Sequence, residues 1–459
     1  GWHARFDDGF NEANVSSLAA ALARTWGEGA PGKGIIVGYD GRHQGRSFAE
    51  LVASILAGEG VDAQLSLAPC PLPALSWAIA HDDELAGGVL VGTADAPCEH
   101  GAIHALGPDG STVPTGFAEQ VNRLAGIAEP LTLGAYGMRD VNMPYQAALT
   151  EEFVPDEGYA GLTVVVDAMH GVGGPALVGA LGHLGVQVRS LHMEVREDFG
   201  GLHPVAADPW ADGCEELVQQ SHADMGIVLD SIAMRSAVVD EQGHLISPQR
   251  MVPLVISHLI HNRHQCGRVV TTMSSSCSVR LMAQHLGLPF TPVPVGFSRM
   301  HAEMADGDVM LAGEEYGGIS VPHHLAERDG IYSALLLVEL VRQSGKPLSQ
   351  LARELDDRIG HMDYGRRDIR LEVAKVQAFA NVLQGVSPRE LCGRQVVRTS
   401  HAEGLKVDFE DDSWLMLRPS REQPLMRIYA EAPTTRERDA LIDEASAIIR
   451  GGYKAYLQQ

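Results

Sequence analysis

The sequence predicts an α/β protein of four parts, three related α/β domains around a shared cleft and a C-terminal α+β domain. Three observations carry this. A chain of 459 residues exceeds what one hydrophobic core supports, so roughly two to four domains are expected. One unit, an apolar strand followed by a Gly/Asp turn and a helix-period segment, recurs three times. From about His361 onward that pattern gives way to alternating stretches broken by Gly and Asp turns.

The first copy is KGIIVGYDGRHQGRSFAELVASILAGEGV, the second GLTVVVDAMHGVGGPALVGALGHLGVQV and the third GRVVTTMSSSCSVRLMAQHLGLPFTPVPVG. Each opens on a β-branched run too continuous for a one-sided sheet, which predicts strands covered by helices on both faces. After each copy comes a second apolar strand ending in an unusual loop: GGVLVGTADAPCEH, ADMGIVLDSIAMRS and DVMLAGEEYGGIS. Ligands in open α/β sheets sit beyond the carboxyl ends of the strands, so these three loops are expected to line one cleft. The fourth part runs through DYGRRDIRLEV and GLKVDFEDDSWLMLRPSREQPLMRIYAEA to a closing helix in TRERDALIDEASAIIRGGYKAYLQ. Its RPSREQPLMR loop carries Arg418, Arg421 and Arg427 with the Ser420 hydroxyl, donors suited to an anion. The expected boundaries are 1–135, 136–243, 244–358 and 359–459.

Apolar residues make up 45% and charged residues 20% of the chain, an ordinary globular composition. The net charge of -24 opposes phosphate backbones and anionic lipid headgroups, so neither nucleic acid nor membrane is an expected partner. Six scattered cysteines without a CxxC pair read as reduced thiols in a cytoplasmic protein. GWHARFDDGF shows no secretory signal, and no apolar run has membrane-spanning length.

The stretch GGVLVGTADAPCEHGAIHAL, Gly87 to Leu106, has the form of a loop that delivers a reactive side chain, and Asp95 stands at its tip. Cys98, Glu99, His100 and His104 nearby would make a soft-metal set only on a helix, which nothing in the sequence requires. The histidines of HNRHQC and the pair His323 and His324 share no repeated ligand spacing and read as surface or hydrogen-bonded residues. VVDAMHGVGG lacks GxGxxG spacing and reads as a turn leading into a helix.

GYDGR at 38–42, VVDAMHGVGG at 165–174, VVDEQG at 238–243, GEEYGG at 313–318, ERDG at 327–330 and RPS followed by PLMRIYAEA occur in order. With these the chain resembles the α-D-phosphohexomutases, the phosphoglucomutase and phosphomannomutase group, over essentially its whole length. The resemblance implies four domains around a cleft, in which phosphate moves between sugar positions by way of a phosphoserine, with magnesium assisting.

Several landmarks depart from the family pattern. The phosphoserine loop TASHNP keeps Thr93 and Ala94 but has Asp95 at the serine and Ala96 after it. The metal loop DGDADR becomes LDSIAMRS, retaining Asp230 and Arg235 while Ile232 and Met234 replace the other two carboxylates. GEESGG becomes GEEYGG, keeping Glu314 and Glu315 to accept from hydroxyls or an amine. RPSGTEP becomes RPSREQP, keeping Arg418 and Ser420 with Arg421 and Glu422 in place of glycine and threonine; Arg427 matches a further family position. His3 replaces an arginine, and a basic residue moves from Ser298 to Arg299.

These changes predict a chain that has lost phosphomutase activity, a pseudoenzyme with a degenerate active site and no magnesium or other cofactor. It would serve as a ligand-binding or complex subunit, or act on a phosphate or sulfate ester of a polyol or amine without phosphoryl transfer, with Asp95 as general base. Glu314, Glu315, Arg418, Ser420, Arg421, Arg427, Arg235 and Arg299 would hold the ligand. The expected partner is a small anionic metabolite, with a protein partner or a second copy also admitted. The alternative is an active phosphoglucomutase or phosphomannomutase that uses Asp95 in place of the phosphoserine.

Overall fold

The computed structural model describes residues 1–6, 8–94, 96–130, 132–420 and 423–451. It divides into two compact units, Gly1–Arg268 with Phe297–Ala352, and Val269–Gly296 with the chain from Arg353 onward.

In the first unit the first sheet has six strands, ordered Trp2–Arg5, His100–Leu106, Leu85–Val91, Gly34–Tyr39, Asp62–Ser66 and Gly137–Arg139. The last four are mutually parallel, and the two at the other edge are antiparallel. Successive residues of the central strands enter different cores, as the pleat requires. Ile35, Val37, Val89 and Val91 pack with the helices Glu12–Gly29 and Gly45–Gly58. Ile36 and Leu90 pack on the other face with the helix Leu72–Ala80. This two-sided burial is why the sequence shows continuous apolar runs.

The second sheet is ordered Leu245–Ile246, Ser236–Val239, Met225–Leu229, Thr163–Asp167 and Gln187–Leu191. The last three strands are parallel, and the first two add antiparallel pairs at one edge. The VVDAMHGVGG turn leads from Thr163–Asp167 into the helix Gly174–His183, as expected. Also in this unit, Val309–Gly313 pairs antiparallel with Ile319–Ser320 and precedes the buried helix Gly330–Ser344. No described helix is long and apolar enough to cross a membrane.

In the second unit, Arg268–Thr272 pairs in parallel with Phe290–Val293, with the helix Cys277–His285 between them in sequence. The C-terminal sheet has six antiparallel strands, ordered Asp363–Arg370, Leu425–Ala432, Trp414–Pro419, Leu405–Phe409, Arg394–Ser400 and Glu390–Leu391. Leu415 and Leu417 face a core shared with the helices Val373–Leu383 and Thr435–Gly451. Trp414 and Met416 face the other way and pack with Cys277 and Tyr429.

Candidate active site

Asp95, the residue on which the sequence reading turns, lies outside the described residues, as does Arg421. The backbone on both sides of position 95 is nevertheless tightly held. Arg42, the last residue of GYDGR, is 3% exposed, and its Nε donates to Asp40 Oδ2 at 2.8 Å. Its Nη2 donates to the Thr93 carbonyl at 2.8 Å, and Nη1 reaches the carbonyls of His100 at 2.8 Å, Pro97 at 3.1 Å and Ala96 at 3.5 Å. The Asp40 carboxylate in turn accepts from the Thr93 amide at 3.2 Å. One buried guanidinium thus ties together both stems of the loop, using the planar fork that distinguishes arginine from lysine.

The loop at 230–235 docks against the same backbone. Ser231 Oγ donates to the carbonyls of Thr93 at 2.7 Å and Ala94 at 3.2 Å, while the Ser231 carbonyl accepts from Val172 N at 3.0 Å. A Cβ on Gly171 would lie 2.6 Å from Ser231 Cα, so the VVDAMHGVGG glycine is needed for this approach.

Asp230 keeps the loop in shape. Its Oδ1 accepts from the amides of Ile232 at 3.2 Å and Met234 at 2.9 Å, and its Oδ2 from that of Arg235 at 2.9 Å. Ile232 and Met234 belong to the apolar cluster of Leu72 and Leu75. The loop therefore does not assemble a three-carboxylate magnesium cage.

Glu314 stands at the start of the tight turn before Ile319. Its Oε2 accepts from Arg328 Nη1 at 3.1 Å and lies 3.8 Å from Arg235 Nη2. Arg328 Nε also donates to Glu327 Oε1 at 2.9 Å. Glu315 is buried, and its carbonyl accepts from Gln249 at 3.1 Å. The structure brings Arg235 and Glu314 together but leaves Arg299 exposed in the first turn of the helix Phe297–Met304. His100 and His104 lie on a strand, roughly 13 Å apart at the usual rise, so they do not form the one-turn pair a helix would give.

In the second unit, Arg418 is buried and donates through Nε to Glu403 Oε2 at 2.9 Å. Arg427 faces Arg418 across the strands, and its Nε lies 3.9 Å from Asp368 Oδ2 without a hydrogen-bond partner among the described residues. Ser420 N donates to the Leu425 carbonyl at 2.9 Å, and Ser420 Oγ accepts from Gln423 N at 3.3 Å. The sequence reading missed the structural roles of Arg42, Ser231, Arg328 and Glu403. Arg42 and Arg328 do lie within quoted landmarks, and the signal was their place in GYDGR and ERDG.

Models of the phosphoglucomutase/phosphomannomutase α/β/α domains I, II and III match residues 1–128, 144–243 and 247–358 respectively. The chain is 27% identical over 443 residues to a phosphoglucomutase/phosphomannomutase of Thermococcus kodakarensis, covering 92% of each. It is 27% identical over 435 residues to a phosphoglucosamine mutase of Mycolicibacterium paratuberculosis, covering 91% of this chain and 90% of that one. The structure of a putative phosphomannomutase from Thermus thermophilus superposes with a TM-score of 0.87 at 26% identity, covering 98% of each chain.

Two expectations are corrected by these findings. Nearly full-length relatives carry the names of phosphomutases, which overturns the reading of lost activity, and with it the pseudoenzyme and the degenerate site. The expectation of no cofactor also falls, because phosphohexomutases use magnesium. The physical error lay in counting carboxylates on one loop: magnesium is commonly held by one or two carboxylates together with substrate phosphate oxygens and water. Away from that loop, Asp208, Asp212 and Glu215 also bring carboxylate oxygens within 4.8 Å of one another. With three domain models matched in order along the sequence, the chain belongs to the phosphoglucomutase/phosphomannomutase family.

Proposed function

We propose that the protein is an active phosphohexomutase that moves a phosphoryl group between positions of a hexose phosphate, with Asp95 as the phosphoacceptor. The observation that supports this most is the Arg42 clamp, which holds both stems of the loop bearing position 95. Such preorganisation is what phosphoryl transfer needs, because the protein's contribution is mostly positioning and charge stabilisation.

In the step proposed, an Asp95 carboxylate oxygen attacks a phosphorus of a hexose bisphosphate. The new O–P bond gives an acyl phosphate, the P–O bond to the sugar breaks, and the released sugar oxygen takes up a proton. The acyl phosphate then gives its phosphoryl group to the free 6-hydroxyl of a hexose 1-phosphate, which loses its proton, forming the 1,6-bisphosphate; attack of the regenerated carboxylate on the phosphorus at position 1 of that bisphosphate releases hexose 6-phosphate and restores the acyl phosphate. No step is assigned to a metal.

The test is turnover of glucose, mannose and glucosamine 1-phosphates to their 6-phosphates, primed with the matching bisphosphate, with and without magnesium, and followed by phosphorus NMR. The wild type is expected to convert at least one, and Asp95→Asn to lose that conversion. Inactivity of the wild type on all three, or full activity of the variant, rejects the reading.

A further inference from the structure

In the first unit, four charged side chains form one continuous chain of contacts. Thr112 donates through its amide and its hydroxyl to Glu327 Oε2, both at 3.2 Å. The other oxygen, Glu327 Oε1, accepts from Arg328 Nε at 2.9 Å. Arg328 Nη1 donates to Glu314 Oε2 at 3.1 Å, and Arg235 lies on the far side of that same oxygen at 3.8 Å. The side chains of Arg328, Glu314 and Arg235 are 12%, 11% and 16% exposed, so the cluster is sheltered without being closed off from solvent.

The geometry assigns direction to the Glu314 carboxylate. Both guanidinium contacts fall on Oε2, and Oε1 takes no hydrogen bond or ion pair from the described residues. Arg328 is itself held firmly: its guanidinium lies 4.3 Å from the centroid of the Phe297 ring, a cation–π distance. The turn has room for this pairing because residue 318 is glycine, where a Cβ would lie 2.8 Å from Glu314 Oε2 and 2.9 Å from Arg328 Cδ. A lysine could not take over the role, since one ammonium cannot reach two carboxylates from the two ends of a planar fork.

We infer that Arg328 is a positioning residue that fixes the Glu314 carboxylate so that Oε1 accepts a hydrogen bond from one hydroxyl of the bound sugar, making it a determinant of sugar recognition. This inference rests on the phosphohexomutase reading above. It goes beyond that reading by naming a residue that acts through Glu314 without touching the substrate. A hydroxyl donating to a charged acceptor is expected to contribute on the order of tenfold in affinity.

The experiment compares calorimetric binding of glucose 6-phosphate and of its 2-, 3- and 4-deoxy analogues to wild type, Arg328→Met and Arg328→Lys. In the wild type, one analogue should bind about tenfold more weakly than the parent. In both variants that penalty should shrink towards onefold, while the parent's own affinity falls by a similar factor. A purely structural role would lower all affinities together and leave the penalty intact, which would overturn the inference. Should Arg328→Met fail to fold, Arg328→Lys keeps the cation and still reads the penalty. Where the wild type binds the sugar phosphate but the penalty survives in the variants, the inference fails and the family activity stands. Failure of the wild type to bind glucose, mannose and glucosamine 6-phosphates alike overturns both.

Discussion

Replacing Arg42 with methionine separates an electrostatic clamp from ordinary packing. The substitution keeps most of the apolar stem but removes a guanidinium whose side chain is 1% exposed beside an Asp40 side chain that is fully buried. Breaking a buried pair by deleting one member typically costs about 3–5 kcal/mol, because the remaining charge stays uncompensated. The carbonyls of Thr93, Pro97 and His100 lose their donor in the same change. Opening of the loop around position 95 should therefore become easier by at least about 3 kcal/mol, a factor of roughly 100. Native-state hydrogen exchange reads this locally at the Thr93 and His100 amides, which donate to Asp40 and to the Pro97 carbonyl. Their protection should fall by about that factor, while amides of the C-terminal sheet stay unchanged. Adding Asp40→Asn should recover part of the loss, since removing both charges avoids the unpaired carboxylate. Unchanged protection in Arg42→Met, or a double variant worse than the single one, would refute the clamp.

Three further outcomes are expected. Gly171→Ala should destabilise the protein by about 1–3 kcal/mol through overpacking against Ser231, seen as a lower thermal midpoint, whereas Gly161→Ala, with open space around it, should not. Arg418→Met removes the guanidinium that donates to the buried Glu403 and should lower the urea midpoint of the C-terminal sheet, with Arg418→Met/Glu403→Gln partly restored. Burial works against a charged His324, but its hydrogen bonds to Asp329 and Glu152 outweigh that and raise it from 6.5 to about 9. A raised histidine stabilises fully below its unfolded value and loses that contribution as pH climbs through about 9. His324→Gln should therefore cost about 3 kcal/mol near pH 6, and its urea midpoint should converge on that of the wild type above pH 9; a pH-independent gap would contradict the assignment.

Much of the architecture was legible because burial leaves a pattern in sequence. Ile35, Ile36 and Val37 alternate between two apolar cores, and a strand buried on both faces must be apolar throughout. The alternating C-terminal stretches likewise foretold an α+β domain, and the structure places Trp414 and Leu415 on opposite faces of its sheet. The site was less legible, because its supports join residues far apart in the chain. Nothing near Arg42 in sequence shows that it will grip carbonyls at 93, 97 and 100, nor does ERDG reveal that its arginine will turn back to Glu314. Substitutions were visible, but their consequences were not: Ile232 and Met234 replace carboxylates, yet Asp230 still organises the loop through three backbone amides. Reading those losses as the end of the chemistry gave local change more weight than the retained frame around it.

The most direct measurement is the mass of the intact protein after brief incubation with glucose 1,6-bisphosphate, before and after hydroxylamine treatment. A phosphohexomutase that works through Asp95 should gain one phosphoryl group, lose it to hydroxylamine as an acyl phosphate does, and gain none as Asp95→Asn. Absence of any phosphoryl gain from this bisphosphate and its mannose and glucosamine counterparts, or a hydroxylamine-resistant one that persists in Asp95→Asn, would contradict that chemistry.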